Sequence, residues 1–304
     1  MSLELTIILS VVNLINIVLH VLGCSLLAHQ YRNGVEDSQQ LFLINLSVTE
    51  AAINLLQFLI NVSSAVITNS QATNWVIQHY VKTLRGFGFV SVYYLTMIYL
   101  TLDKMFDILL SIRYPSYWNE KYTRYLLKGT WVVSIITAIT VSIIDYHNEV
   151  NSLRILDMYI YPALNIVFLI TAFATYIFIF HKYKQTRSPP TYRLPCTTQP
   201  SAFEVFRKSR FHIPVLLIST TLIFQSAPGL IQQIVVSAEI KLSNRFKTAL
   251  SIFWSLSYFS DAVIYIWIKV SVRKLLKGKV YTYLRKDRID DLQSDAVHST
   301  ISTV

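Results

Sequence analysis

Seven long apolar runs, separated by shorter polar segments, dominate the pattern of this chain. Each run is continuously apolar, without the alternation at every second residue that marks barrel strands. Runs of about 20 such residues form helices that cross the roughly 30 Å of hydrocarbon in a bilayer. The pattern therefore predicts an all-α membrane protein with a seven-transmembrane helix bundle. We predict the spans at residues 5–29, 40–67, 82–110, 126–146, 156–181, 211–238 and 247–270.

The first run is expected to be a membrane span and not a cleaved signal peptide. It carries Glu4 and no base in front of its apolar stretch, which is also too long for a signal peptide. Three polar residues, Asn13, Asn16 and His20, interrupt it.

Composition and charge support a membrane location. Of the 304 residues 53% are apolar and only 14% are charged, which is too apolar for a soluble domain of this size. The formal net charge of +10 is attributed to topology and not to nucleic acid. About 21 of the 27 Lys and Arg residues fall on one side of the predicted spans. The positive-inside rule then predicts a multi-pass protein with its N-terminus outside and its C-terminus in the cytoplasm.

A cytoplasmic tail, residues 271–304, is predicted to follow a single seven-transmembrane domain over residues 1–270. Bases alternate with Val, Leu and Tyr along residues 271–284, which predicts a short amphipathic helix on the anionic lipids of the inner leaflet. The chain ends with Ser302 two residues before Val304, a pattern that fits carboxylate capture by a PDZ-domain protein.

Two acidic residues inside predicted spans are the strongest chemical signal. Glu50 lies near the middle of the second span and Asp261 in the second half of the seventh. A charge at mid-membrane costs about 2.5–3.5 kcal/mol on insertion scales, so such residues mark functional sites. The pair suggests a bound cation such as sodium, or a shared proton. The alternative is that each carboxyl is neutral or hydrogen-bonded for packing alone.

Enzyme chemistry is not expected. The sequence has no metal-ligand cluster, no nucleophile with a positioned base and no Gly-rich phosphate loop. The seven His residues are scattered without the spacing of a zinc site. We therefore expect no catalytic residue, no structural metal and no organic cofactor.

Two motifs resemble those of rhodopsin-like (class A) G-protein-coupled receptors. The stretch "LINLSVTE" resembles the Leu-x-x-Asn-Leu-Ala-x-x-Asp of helix two, with Glu50 in the place of Asp. The stretch "LTLDKM" resembles the Asp-Arg-Tyr end of helix three. Asp103 is kept there, whereas Lys104 and Met105 replace Arg and Tyr.

Further landmarks follow in the family's order along the chain. "SDAVIY" resembles the Asn/Asp-Pro-x-x-Tyr of helix seven and keeps Asp261 and Tyr265. Trp131 resembles the lone Trp of helix four. Pro162 and Pro228 stand where helices five and six of the family carry prolines that kink them.

This resemblance implies a receptor that transmits ligand binding to a heterotrimeric G protein. The implied switch residues are Asp103, Lys104, Met105, Asp261 and Tyr265. Asp103 would restrain Lys104 until activation and Lys104 would then face the G protein. Adjacent helix residues point in different directions, so we expect Asp103 to act through a shared water or a loop group. Lysine lacks the planar fork of arginine, which predicts weaker restraint and high basal activity.

The ligand of such a receptor is expected to be a small molecule or a peptide. Receptors for biogenic amines carry an Asp where this chain has Gly86 beside Arg85, so the partner of an ammonium group is missing. A pocket suited to a neutral or acidic molecule is predicted at Arg85, Tyr93, Tyr94, Gln225, Gln232 and Gln233. The alternative is that these residues only pack and hydrogen-bond between helices.

Two rival functions stay open at the level of sequence. One is a cation transporter or channel that uses Glu50 and Asp261 as a relay. The other is a receptor-derived scaffold that no longer signals, which the replacements Lys104, Met105 and Ala262 leave open.

Overall fold

A computed structural model describes residues 3–32, 38–66, 79–110, 119–148, 159–187, 212–237 and 243–268. These residues are helical except Asn119 and Ser243, each of which directly precedes a helix. The described helices are α1 (Leu3–Arg32), α2 (Ser38–Val66), α3 (Ser91–Leu110), α4 (Glu120–Asn148), α5 (Tyr161–Arg187), α6 (His212–Thr221 and Ala227–Ser237) and α7 (Asn244–Val263). The tail predictions, the amphipathic helix at 271–284 and the residues Ser302 and Val304, lie outside the described residues.

Four stretches of these helices are long and apolar enough to cross a membrane. They are Thr6–Arg32, Gln39–Ser63, Glu120–Ile144 and Tyr161–His181. Shorter apolar stretches lie in α6 and α7, at Val215–Ile231 and Ile252–Ile266. The predicted all-α fold is therefore confirmed over the described residues, and these four stretches are compatible with the predicted membrane location. The predicted spans 82–110, 211–238 and 247–270 are helical wherever they are described, but they are not among the four.

The burial pattern is the reverse of that of a soluble protein. Large apolar side chains cover the outer faces of α4 and α5, where Val133 is 64% exposed and Phe173 is 70% exposed. Charged and polar side chains such as Glu50, Asp103 and Asp261 are instead fully buried. In lipid the outward apolar surface has no cost, while an inward polar group needs a partner inside the bundle.

Three π-helical segments of five or more residues interrupt or extend the described helices. They are Leu84–Val90, which precedes α3, Leu222–Ser226 within α6, and Ile264–Ile268 after α7. Both predicted kink positions adjoin π geometry: Pro162 follows two π-helical residues, and Pro228 stands two residues after Leu222–Ser226. Proline lacks the backbone N–H that a regular helical hydrogen bond needs, and a π turn replaces i to i+4 hydrogen bonds with i to i+5 ones. Both features therefore occur where the regular hydrogen bonding of a helix is interrupted.

Asn45 joins three helices through its side chain. Its amide nitrogen donates to Thr96 Oγ1 of α3 at 2.8 Å, and its amide oxygen accepts from Trp131 Nε1 of α4 at 2.6 Å. Phe89 packs edge-on against the Trp131 ring, with the centroids 5.4 Å apart. The motif "LINLSVTE" thus contributes a structural hydrogen bond between helices as well as an acid.

Replacing Asn45 by Ala is expected to lower the free energy of unfolding by about 1–3 kcal/mol, because the Trp131 N–H then loses its acceptor. Thermal unfolding of the purified chain in detergent, followed by Trp fluorescence, measures the effect. Thr137→Val is the matched control, since that exposed hydroxyl bonds only the Val133 carbonyl of its own helix. Equal melting temperatures for the two variants would contradict a role for Asn45 between helices.

Candidate functional site

Three polar stripes converge inside the bundle. In α1, Asn13, Asn16 and His20 are spaced by three and four residues, which places them on one helix face. In α2, Glu50 and Asn54 are one turn apart, and Gln57 and Asn61 continue the same face. In α7 and the π segment that follows it, the stripe comprises Trp254, Tyr258, Asp261 and Tyr265. Because α1 packs against both α2 and α7, the polar faces meet instead of facing lipid.

The two predicted acids lie side by side in this interior. The carboxyl groups of Glu50 and Asp261 are in contact, and both side chains are fully buried. Tyr265 lies beside Glu50 and packs edge-on against His20, with ring centroids 6.1 Å apart. The sequence therefore identified residues of α2 and α7 that the fold brings together.

His20 is a member of this cluster that the sequence analysis missed. Its Nδ1 lies 3.0 Å from Glu50 Oε2, and its Nε2 lies 3.0 Å from the carbonyl oxygen of Tyr258. The sequence analysis named His20 as a polar interruption of the first run and excluded the histidines as zinc ligands, but it did not connect His20 with the two acids. The informative signal was the polar stripe that interrupts the first apolar run.

Asp261 binds side chains from two further helices. Its Oδ1 accepts a hydrogen bond from Thr220 at 2.8 Å, and its Oδ2 accepts one from the Tyr93 hydroxyl at 3.3 Å. Tyr93 lies in α3 and Thr220 in α6, so one carboxylate of α7 holds three helices together.

Tyr93 and Gln225 extend this network across the bundle. The Gln225 amide nitrogen donates to the Tyr93 hydroxyl at 3.2 Å and to Ser257 Oγ at 2.9 Å. Both residues are buried, and their polar atoms are occupied by neighbours inside the protein. These contacts favour the alternative of hydrogen bonding between helices, and the assignment of both residues to a ligand pocket stays a prediction.

The charge balance of the cluster is the main chemical question at this site. Neither carboxyl oxygen of Glu50 accepts a hydrogen bond of ordinary geometry from the described residues. Two ionised carboxylates beside a single imidazole would leave at least one negative charge uncompensated. A proton on one of the carboxyl groups, or a hard cation bound by oxygen atoms, would balance that charge. Within the part of the chain that the structure describes, no group of three or more His, Cys, Asp and Glu side chains fits a metal site.

At the other end of α3, Asp103 and Lys104 form a direct ion pair. The distance from Lys104 Nζ to Asp103 Oδ2 is 3.0 Å, and both side chains are buried. The expectation that these neighbours need a water or a loop group between them is wrong. The four-carbon stem of lysine is long enough to fold back to the preceding residue. Met105, next in the sequence, is half-buried.

A cavity of about 170 Å³ opens between α1, α2, α7 and the π segment before α3. Arg85 lines it, as predicted for a ligand pocket, and donates a hydrogen bond from Nη1 to Gln57 Oε1. Tyr94 is half-buried elsewhere, between Tyr93 and Tyr161. The side chains of Gln232 and Gln233 lie outside the described residues. Of the predicted pocket residues whose side chains are described, Arg85 lines this cavity and Tyr93, Tyr94 and Gln225 do not.

Fold and site together define an all-helical, membrane-embedded protein with a buried cluster of two acids and a histidine between its helices. No protein-family model matches the chain, and no curated protein matches it.

Proposed function

We propose that this chain is a rhodopsin-like G-protein-coupled receptor with seven membrane spans. It lies in the plasma membrane with its N-terminus outside and its C-terminus in the cytoplasm. It transmits binding of an extracellular ligand to a heterotrimeric G protein. The observation that carries the proposal is the buried ion pair between Asp103 and Lys104 at the end of α3. A buried ion pair is a poor source of net stability, so its retention at this place favours a switch.

The mechanism is a shift between two populated states. In the resting state Asp103 holds the Lys104 ammonium at 3.0 Å inside the protein. In the active state the pair opens and Lys104 contacts the G protein. The ligand supplies the difference in free energy by binding the active state more tightly than the resting one.

The acid cluster is the proposed link between the outer half of the bundle and α6. Asp261 of α7 bonds Thr220 of α6 and Tyr93 of α3, so a change in its charge or position alters how α6 sits against α3. Binding or loss of a proton or a sodium ion at Glu50 and Asp261 biases this arrangement. No bond in the ligand has to be made or broken.

The first test is ligand-independent G-protein dissociation, measured by energy transfer in cells that express the chain. Several Gα classes are compared with mock-transfected cells at a measured surface expression. Because lysine replaces arginine at position 104, we expect basal dissociation above the mock signal for at least one class. A flat signal in every class despite normal surface expression would instead favour the scaffold function.

The buried pair of carboxylates gives the transport alternative its own test. A cation relay requires flux in cells that lack G proteins, and Glu50→Gln must reduce that flux. The receptor function predicts no flux with either form. The two functions are thereby separated without knowledge of the ligand.

A further inference from the structure

We infer that the cavity lined by Arg85 binds a small carboxylate that carries no ammonium group. The evidence for binding is the cavity and its lining residues. The effect of binding on signalling rests on the proposed receptor function. The site lies between α1, α2 and α7, apart from the buried residues Tyr93 and Gln225.

The charge of the cavity indicates an anionic ligand. Arg85 is its one charged lining residue, and no carboxylate is among the described residues that line it. Lys82, one turn earlier on the exposed side, adds positive charge close to Arg85. No acid of the described residues lies within ion-pair distance of Arg85. A half-buried guanidinium is stabilised by an opposite charge, and no acid of the cavity wall supplies one among the described residues. An anion that enters the cavity from outside can supply that charge.

A second buried donor belongs to a residue in the wall of the same cavity. Asn61 is 3% exposed and lines the cavity, and its amide nitrogen has no hydrogen-bond partner among the described residues. The Asn61 amide oxygen accepts a hydrogen bond from Gln57 Nε2 at 2.9 Å. This bond sets the orientation of the amide group and leaves its nitrogen as the atom without a partner among the described residues. Arg85 and Asn61 together offer two N–H donors to one carboxylate, and both are joined to Gln57.

The size and walls of the cavity narrow the ligand class. Its volume of about 170 Å³ is well below the roughly 300–1,000 Å³ of sites for drug-sized ligands. Trp254 and Tyr258 supply aromatic wall, and Asn54 supplies a further amide. An ammonium group would meet Arg85 and no acid, so amino acids and amines are disfavoured. The fitting ligand is a small monocarboxylic acid with a compact body.

Two residues of the cavity wall, Asn54 and Tyr258, are linked by hydrogen bonds to the acid cluster. Asn54 donates to the Glu50 carbonyl at 2.8 Å and accepts from Asn16 at 3.2 Å. The Tyr258 carbonyl lies 3.0 Å from His20 Nε2. A ligand that moves α2 or α7 at the cavity therefore changes the surroundings of Glu50, two hydrogen bonds away.

The test is binding to the purified full chain in nanodiscs, without any G protein. The probes are lactate, 3-hydroxybutyrate and benzoate, each paired with its neutral amide, and the readouts are isothermal titration and the shift in melting temperature. We expect at least one carboxylate to bind at least tenfold more tightly than its amide. Failure of all three acids to bind, or equal binding of an acid and its amide, would overturn the proposal. This comparison uses the unchanged chain, so it does not depend on the folding of a variant.

Two variants then locate the site. Arg85→Gln and Asn61→Leu are expected to weaken carboxylate binding at least tenfold and about threefold, respectively. Lys82→Gln is the matched control, since it removes the same charge from a residue that does not line the cavity, and it should change affinity by less than about threefold. Unchanged binding by Arg85→Gln would overturn the site. Carboxylate binding without any G-protein response would overturn the receptor function and leave the site intact.

Discussion

Replacing Asp103 by Asn is expected to raise ligand-independent G-protein activation about tenfold. The Lys104 ammonium lies 3.0 Å from the Asp103 carboxylate, and both groups are buried. A hydrogen bond between charged groups is worth about 1.5–3 kcal/mol. Asparagine keeps the shape and one neutral acceptor, so roughly 1.4 kcal/mol of restraint is lost. That loss multiplies the ratio of active to resting state by about ten.

The measurement is G-protein dissociation at equal surface expression, with Asp107→Asn as the matched control. Asp107 lies one turn further along α3, is half-buried and belongs to no ion pair with Lys104. Its replacement makes the same chemical change on the same helix and should leave basal activity within about twofold. Equal signals from Asp103→Asn and the unchanged chain would show that the pair does not hold the resting state.

Replacing Asp261 by Ala is expected to lower the free energy of unfolding by about 2–5 kcal/mol. The variant loses the acceptor of Thr220 and Tyr93, which are bonded at 2.8 and 3.3 Å, and so loses the tie between α3, α6 and α7. Two hydrogen bonds to a charged acceptor are worth about 3–6 kcal/mol together. Relief of the repulsion from Glu50 offsets part of that loss, because the two carboxyl groups are in contact.

Melting temperature in detergent and the fraction of chain at the cell surface both report this change. Asp261→Asn should lower the free energy of unfolding less than Asp261→Ala does. The asparagine side chain keeps an acceptor and removes the like charge beside Glu50. Ser260→Ala, at the neighbouring position, is the control because that hydroxyl bonds only the Leu256 carbonyl of its own helix. If Asp261→Ala melts at the same temperature as Ser260→Ala, then Asp261 does not hold the three helices.

The acids of the site were predictable from sequence because a carboxylate in an apolar helix has few explanations. Glu50 and Asp261 stand out from their surroundings by residue type alone, and the cost of burial means that they must find partners. His20 was equally accessible in principle. The spacing of Asn13, Asn16 and His20 marks one face of α1, and a search for stripes instead of zinc ligands would have found it.

Side-chain conformation and helix rotation were not predictable in the same way. Tyr93 and Gln225 are aromatic or amide residues of the kind that lines pockets, and only the packing of α3 against α6 shows that they bond each other. The contact between Lys104 and Asp103 depends on how a flexible stem folds, which sequence adjacency does not determine. The cavity at Arg85 depends on how four segments meet, so its position emerged only from the fold.

The most direct measurement is the rate of nucleotide exchange on a purified G protein of the responding class. The purified chain in nanodiscs is compared with empty nanodiscs and with the Lys104→Ala variant at equal folded concentration. We predict that the unchanged chain accelerates exchange at least several-fold and that Lys104→Ala loses most of this acceleration. Exchange no faster than with empty nanodiscs, even when a carboxylate occupies the cavity, would contradict the receptor function.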